Sequence, residues 1–287
     1  MRRSVQGLTA WLIATCGVAP VGLVSAQDSI LAAVTHDAAE SDDGAPLRTA
    51  ERSAAAGVFL RLVESPTTST HQVAVGSYGG YDGSRQGALF ETRGEVVLMS
   101  RAGLERRSAL GLSLVGGGAY AAGAPGRSDT TGARVGFKLQ PLFQEQVGLD
   151  VALSVTYESR GFNLVPAVST DLLLARQIGQ AQLLFNAGVG AGLRESECSG
   201  RVRAAILLPL LAQLGVGLEA RGQLDLERDQ DEPAGETDYE FAASAVANYA
   251  ISHFSLTAGA GPGAIRYRNG QATEVGVVAT IGIGAAL

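Results

Sequence analysis

The sequence predicts an all-β fold: a closed antiparallel transmembrane β-barrel of about twelve strands, after a signal peptide and a mobile acidic leader. Three observations predict it. From about residue 70 onward, apolar residues alternate with small or polar ones, which is the period of a strand with two different faces. The face opposite the apolar one carries mostly Gly, Ala, Ser and Thr. Short and long connections between the strands alternate along the chain.

Composition excludes several classes of protein. The 287 residues are 46% hydrophobic and 17% charged, so the chain can bury a core and is not disordered as a whole. The basic residues are 21 Arg and one Lys, Lys138, and the formal net charge of −6 gives no basic field for phosphate groups. We therefore expect no nucleic-acid partner.

Residues 1–26 have the parts of a cleaved secretory signal peptide. Arg2 and Arg3 precede an apolar stretch, and Val-Ser-Ala at residues 24–26 is the small-x-small pattern of a cleavage site. A buried apolar helix is one alternative. Lipidation of Cys16 is another, because Ile-Ala-Thr-Cys resembles a lipoprotein signal. Once the signal is removed only Cys198 remains, which excludes an internal disulfide.

Residues 27–69 are predicted to form a flexible acidic segment in the periplasm. Residues 27–56 are rich in Ala, Ser and Asp and show no sustained period. Residues 51–64 mix apolar and charged side chains, and their pattern fits either a short amphipathic helix or an extra strand. The sequence does not decide between these two.

The barrel is predicted over residues 70–287. Its clearest strand sets Val147, Leu149, Val151, Leu153, Val155 and Tyr157 against Gly148, Asp150, Ala152, Ser154, Thr156 and Glu158. Counting such segments gives strands at 70–78, 87–100, 106–120, 132–143, 147–158, 162–177, 180–195, 200–210, 214–227, 238–251, 254–265 and 273–287. Most exceed the typical length of about five or six residues in soluble sheets.

The predicted connections fall into two classes. Those after the even-numbered strands are short, at 101–105, 144–146, 178–179, 211–213 and 252–253. Four of those after the odd-numbered strands are longer and polar, at 79–86, 121–131, 228–237 and 266–272. Two others after odd-numbered strands, at 159–161 and 196–199, are short and break this alternation. Tight periplasmic turns and longer outside loops, with both termini in the periplasm, are typical of outer-membrane barrels.

The composition of the second face indicates that the apolar face meets lipid. A soluble barrel would carry many charged residues outward and large aliphatics inward. In this chain the second face carries mostly small residues, which suits a confined lumen that contains water. The main exception on the apolar face is Arg176, near a periplasmic strand end where a snorkelling Arg is tolerated. Unpaired strand edges are excluded from lipid, so the strands must close.

Over residues 70–287 the chain resembles bacterial outer-membrane β-barrel proteins of the porin-like kind. The resemblance is one of class, carried by the signal peptide, the alternating strands, the turn asymmetry and a strand that reaches the last residue. It implies the outer membrane as the location, its bilayer as a partner, and insertion by the barrel-assembly machinery. The chain departs from those proteins in ending with Leu287 rather than Phe or Trp, and in having only 6% aromatic residues.

The sequence predicts no enzyme, no cofactor and no metal site. Outer-membrane enzymes of this architecture need a His beside a nucleophile or a water molecule. His36 lies in the leader, His71 at the start of the first strand and His253 in a periplasmic turn, all away from the outer rim. The surroundings of Ser113 miss the Gly-x-Ser-x-Gly spacing.

The lumen is therefore the candidate site. The inward face would carry Glu91, Arg93, Glu95, Arg134, Lys138, Asp150, Asp171, Arg194, Arg201, Arg203, Glu219, Arg221, Asp225, Glu227 and Glu240. We predict a small channel for ions or polar solutes, lined by Arg93, Lys138, Asp150, Glu219, Arg221 and Asp225. The alternative is a non-conducting structural or docking barrel in an envelope-spanning assembly, with the lumen charges paired with one another and the leader or loops contacting envelope proteins.

Overall fold

The structure, a computed structural model, describes residues 60, 62–66, 73–82, 87–99, 111–122, 130–159, 166–193, 198–211, 213–226, 237–251, 254–267 and 273–286. The predicted signal peptide, the possible lipidation site at Cys16 and the leader up to residue 59 lie outside these residues. In the described part of the chain, no helix is long and apolar enough to cross a membrane.

The described residues form twelve strands and one turn of helix. The strands are β1 Val73–Asp82, β2 Gly87–Met99, β3 Gly111–Ala121, β4 Thr130–Leu142, β5 Asp150–Glu158, β6 Ala167–Ile178, β7 Ala181–Gly192, β8 Cys198–Pro209, β9 Leu214–Asp225, β10 Thr237–Ile251, β11 Phe254–Tyr267 and β12 Glu274–Ala286. The helical turn α1, Gln144–Val147, lies between β4 and β5. Each predicted strand corresponds to one observed strand.

The strands form a closed barrel in which every strand pairs antiparallel with its neighbours along the chain. β1 closes the sheet by pairing with β12, from Ala74 opposite Ala286 to Asp82 opposite Val278. Closure satisfies the backbone hydrogen-bonding groups that an open edge would expose to lipid. The predicted fold class and strand count are confirmed.

Several connections differ from the predicted ones. β1 ends at Asp82, so the connection to β2 spans 83–86 and is shorter than the predicted 79–86. The predicted start of a strand at Val147 is wrong, because Gln144–Val147 form α1 and β5 begins at Asp150, so the connection after β4 spans 143–149 and is longer than the predicted 144–146. The predicted starts of two other strands, at residues 106 and 162, lie outside the described residues. Two of the tight turns use a left-handed glycine: Gly179 has φ 59° between β6 and β7, and Gly148 has φ 77° after α1.

The two faces of the barrel wall carry opposite chemistry. Outward positions hold large apolar side chains that remain accessible, such as Val275 at 72% and Val135 at 62% exposed. Inward positions hold buried polar groups, including Ser154 at 0% and Asp171 at 1% exposed. This arrangement inverts that of a soluble protein and matches a wall between lipid and an enclosed polar lumen.

Candidate functional site in the barrel lumen

Charged side chains gather inside the barrel because the inward positions of β2, β4, β5, β6, β8, β9 and β10 carry them. The buried members are Glu91, Glu95, Arg134, Lys138, Glu158, Asp171, Arg201, Arg203, Glu219 and Glu240. A charge removed from water is costly unless it is paired and hydrogen-bonded. The arrangement of these side chains in the lumen is therefore determined by the ion pairs that they form.

Residues 60 and 62–66, which we name the lumen strap, cross the inside of the barrel. The backbone N–H of Leu62 donates to Oε2 of Glu219 on β9 at 2.9 Å. At the other end, Nζ of Lys138 on β4 donates to the backbone oxygen of Ser65 at 3.2 Å. Four strands separate β4 from β9 on one side of the barrel and six on the other, so the strap bridges facing walls.

The apolar residues of the lumen strap are fully buried. Leu60 is 2% exposed, Leu62 1% and Val63 0%. They belong to one cluster with the inward-facing Ala175, Leu184, Ala205, Leu207, Ala242, Val246 and Val278. Burying one such aliphatic side chain is worth about 1.5–3 kcal/mol. The cluster also explains why a large apolar residue such as Leu184 faces inward in a polar lumen.

Glu64 is the charged anchor of the strap. Nη2 of Arg134 donates to Oε2 of Glu64 at 2.9 Å, and Nη1 of Arg134 donates to Oε1, which makes the pair bidentate. Nη1 of Arg203 donates to the same Oε1 at 3.1 Å. Burial raises the pKa of the Glu64 carboxyl, but the charges of Arg134, Arg203 and Arg93 outweigh burial and hold that pKa well below its usual range.

The ion pairs of Glu64 are connected to a network of buried ion pairs on β4, β5, β6 and β8. Nε of Arg201 donates to Oδ1 of Asp171 at 2.7 Å, and Nη1 of Arg201 pairs with Glu158. Glu158 also lies 3.1 Å from Nε of Arg134, which links this network to Glu64. Two arginines therefore share one carboxylate, and neither depends on a single partner.

Gly188 makes room for the centre of this network. In register it lies between Asp171 on β6 and Arg201 on β8. A Cβ at position 188 would overlap the Asp171 carboxylate and lie 2.7 Å from the backbone oxygen of Thr170. Because residue 188 of β7 has no side chain, Arg201 can reach across β7 to Asp171.

A small cavity of about 40 Å³ lies between the strap and the wall formed by β2 to β4. Its lining includes Glu64 and Ser65 from the strap and Arg93, Arg134 and Lys138 from the wall. Lys138 pairs with Glu95 at 2.8 Å, and Nε of Arg93 pairs with Glu91. The cavity has enough room and enough polar groups to hold water.

The six residues predicted from sequence to line the channel have different surroundings. Arg93 and Lys138 line the cavity, and Glu219 holds the backbone of the strap. Arg221 faces the lumen apart from the strap and pairs with Glu240. Asp150 lies at the turn end, where it accepts hydrogen bonds from the backbone N–H of Gln144 and the side chain of Gln140. Asp225 is the last residue of β9 and is partly exposed.

Sequence reasoning did not select the residues at the centre of the site. Arg134, Arg201 and Arg203 were assigned to the lumen but not to the channel lining, and Glu64 was assigned to the flexible leader. The available signal was the apolar run around Glu64 at positions 60–64, interpreted as either a helix or a strand. Arg194, Glu227 and all three His residues lie outside the described residues.

Comparison with known proteins gives a likeness of fold. No protein-family model and no curated protein matches the chain. Among solved structures, the NanC porin is 10% identical, with 74% of this chain aligned to 100% of that one at a TM-score of 0.52. The COG4313 outer membrane channel from Pseudomonas putida F1 is 13% identical over 77% of this chain and 97% of that one, at a TM-score of 0.48.

A third structure, the transport unit of the autotransporter AIDA-I from Escherichia coli, is 9% identical over 87% of this chain and 100% of that one, at a TM-score of 0.42. At these identities the likeness concerns the fold alone. The likeness to the NanC porin agrees with the closed barrel, and the apolar outer surface of that barrel suits contact with lipid. The chain has the architecture of bacterial outer-membrane β-barrels, and its location is the outer membrane, as the sequence predicts.

Proposed function

We propose that the chain is a narrow channel for ions or small polar solutes and that the lumen strap regulates its opening. The observation that supports this most is the charge on the inner wall, which runs from Glu240 near the loop end to Lys138 near the turn end. A barrel with only a structural role could fill this space with apolar side chains at a lower cost of desolvation. Twelve strands lie between the filled eight-stranded barrels and the open porins of sixteen or more.

The attachment of the strap is consistent with a movable part. Its described residues form no ladder pair with any strand, so its departure would leave the barrel's backbone hydrogen bonds intact. Its contacts are an apolar cluster, the ion pairs of Glu64 and two hydrogen bonds to its backbone. In this proposal, conductance with the strap in place is low and rises when the strap leaves.

A second candidate function is the non-conducting docking barrel. The observation that favours it is the same burial of Leu60, Leu62 and Val63, because a strap held this firmly can be a permanent plug. In either case we infer a barrel without enzymatic activity, inserted by the barrel-assembly machinery. Envelope protein partners belong to this second candidate.

Conductance in planar lipid bilayers separates the two candidates. The refolded chain is compared with Val63→Asp, which places a carboxylate in the apolar cluster and drives the strap out. Val63→Leu is the matched control, because it stays apolar. A channel predicts small or rare steps for the wild type and for Val63→Leu, and frequent, larger steps for Val63→Asp.

Two further variants test which side chains line the channel. Arg221→Gln and Asp225→Asn in the Val63→Asp background should change the conductance of the open state if these side chains face the solute path. Silence from Val63→Asp that is folded and inserted, as heat-dependent gel mobility reports, would exclude the channel and leave the docking barrel.

A further inference from the structure

We propose that Arg134 and Arg203, supported by Arg93, form a binding site for the carboxylate group of a small anionic solute, and that Glu64 occupies this site while the strap is in place. The inference rests on the proposed channel function and names the class of solute. It makes the strap a tethered competitor of the solute rather than a simple obstruction.

The geometry around Glu64 is the geometry by which proteins recognise carboxylates. The two terminal nitrogens of Arg134 face both carboxylate oxygens, and Arg203 adds a third donor at 3.1 Å. A planar guanidinium offers this forked match, whereas an ammonium group does not. The donors belong to β4 and β8, so the site is part of the rigid wall, and only its occupant belongs to the strap.

The charge balance of the connected ion pairs favours an anion at this position. They join three cations of the wall, Arg134, Arg201 and Arg203, with two of its carboxylates, Glu158 and Asp171, and with Glu64 of the strap. Glu64 is the carboxylate that balances this network. When the strap leaves, the network retains one cation in excess in a confined space, which favours entry of an anion.

Two polar side chains beside the site have buried polar atoms without a hydrogen-bond partner among the described residues. Nη1 of Arg93 is buried and has no hydrogen-bond partner among the described residues, and Arg93 lines the cavity next to Glu64. Asn186 is 1% exposed, lies opposite Arg203 in register, and its amide nitrogen and oxygen likewise lack partners in the described part of the chain. Buried polar groups without partners are rare in native structures and mark places where a ligand or water belongs.

Chemical rescue tests the proposal directly. Glu64→Ala removes the tethered carboxylate and leaves space for acetate, while acetamide has nearly the same shape without the charge. We expect acetate, at about ten times its dissociation constant, to raise the thermal midpoint of Glu64→Ala in detergent micelles by about 3 °C. Acetamide should leave the midpoint unchanged, and so should acetate added to the wild type, whose site is occupied.

Glu240→Ala is the matched control, because it deletes a lumen carboxylate from the separate pair with Arg221. Equal stabilisation of Glu64→Ala and Glu240→Ala by acetate would show general charge screening and overturn the site. An equal effect of acetamide, or no effect of acetate on Glu64→Ala, would also overturn it.

Conductance distinguishes failure of this site from failure of the channel. In a conducting Glu64→Ala protein, acetate should reduce the single-channel current and acetamide should not. Acetate binding in micelles together with silence in bilayers would retain the site and reject the channel. Increased conductance without any acetate effect would retain the channel and reject the site.

Glu64→Gln provides a second variant if Glu64→Ala fails to fold, since it keeps the side-chain volume. The uncompensated cation should then raise the permeability of chloride relative to potassium, measured as a shift of reversal potential in a salt gradient. An unchanged reversal potential in Glu64→Gln would contradict the proposal.

Discussion

The lumen has two unlike walls. On β4, β5, β6 and β8 the buried side chains include Arg134, Lys138, Glu158, Asp171, Arg201 and Arg203, and four of them, Arg134, Glu158, Arg201 and Asp171, form a continuous network of ion pairs. On β11 and β12 the buried side chains in the described residues are Ser255, Thr257, Ile265 and Val278. We call these the charged wall and the smooth wall.

The two walls depend on different physical terms. Each buried charged group is stabilised only while its partners remain, because burial has removed the water that would otherwise solvate its charge. The smooth wall is held by backbone pairing, neutral hydrogen bonds and close packing, as where the ring of Tyr78 fills the space over Gly282. Substitutions on the charged wall should therefore have larger effects than substitutions of equal size on the smooth wall.

The largest expected effect is at Arg201. Arg201→Ala leaves Asp171 and Glu158 buried with one partner fewer, and breaking such a buried pair costs about 3–5 kcal/mol. Ser255→Ala on the smooth wall is the control, because the Ser255 hydroxyl has no hydrogen-bond partner among the described residues. Urea unfolding in lipid vesicles measures both. Equal losses of unfolding free energy would remove the distinction between the walls.

A smaller effect is expected at Gly188. Gly188→Ala forces Asp171 and the backbone near Thr170 to shift, at a cost of about 1–3 kcal/mol. Gly222→Ala is the matched control, because a Cβ at that position meets nothing within 4 Å. The thermal midpoint in detergent should fall for the first variant and stay within error for the second. A fall of the same size in both would indicate loss of glycine itself rather than the steric conflict.

At the edge of the smooth wall, where β11 pairs with β10, the expected effect is smaller still. Nδ2 of Asn248 on β10 donates to Oγ1 of Thr257 on β11 at 2.7 Å, a neutral bond worth about 1 kcal/mol. Asn248→Ala should lower the unfolding free energy by that amount at both low and high salt. The loss in Arg201→Ala should instead vary with ionic strength wherever water reaches the network. Salt dependence in Asn248→Ala would show that the smooth wall also depends on charge.

The walls differ in how far the sequence reveals them. The strands and their two faces were predictable because alternation with period two is local, and the sparse charge of the lipid-facing side is a matter of composition. The start of β5 was not, because the alternation continues ahead of Asp150 to Val147 and does not mark where pairing with Ala175 begins. The contact of Glu64 with Arg134 spans 70 residues of sequence and is fixed only by closure of the barrel.

The smallest expected effect is the response of the strap to mild acid. Because the pKa of Glu64 in the folded protein lies well below its ordinary value of 4.5, the ion pairs contribute fully above that value and are lost only as the pH falls through the lowered pKa. Conductance of the wild type should therefore stay constant between about pH 7 and pH 5. It should rise only under more acidic conditions, as protonated Glu64 releases Arg134 and Arg203. Glu64→Gln, which cannot titrate there, should lack the acid rise, and a rise in wild-type conductance already at about pH 5–6 would assign the anchoring of the strap to a group other than Glu64.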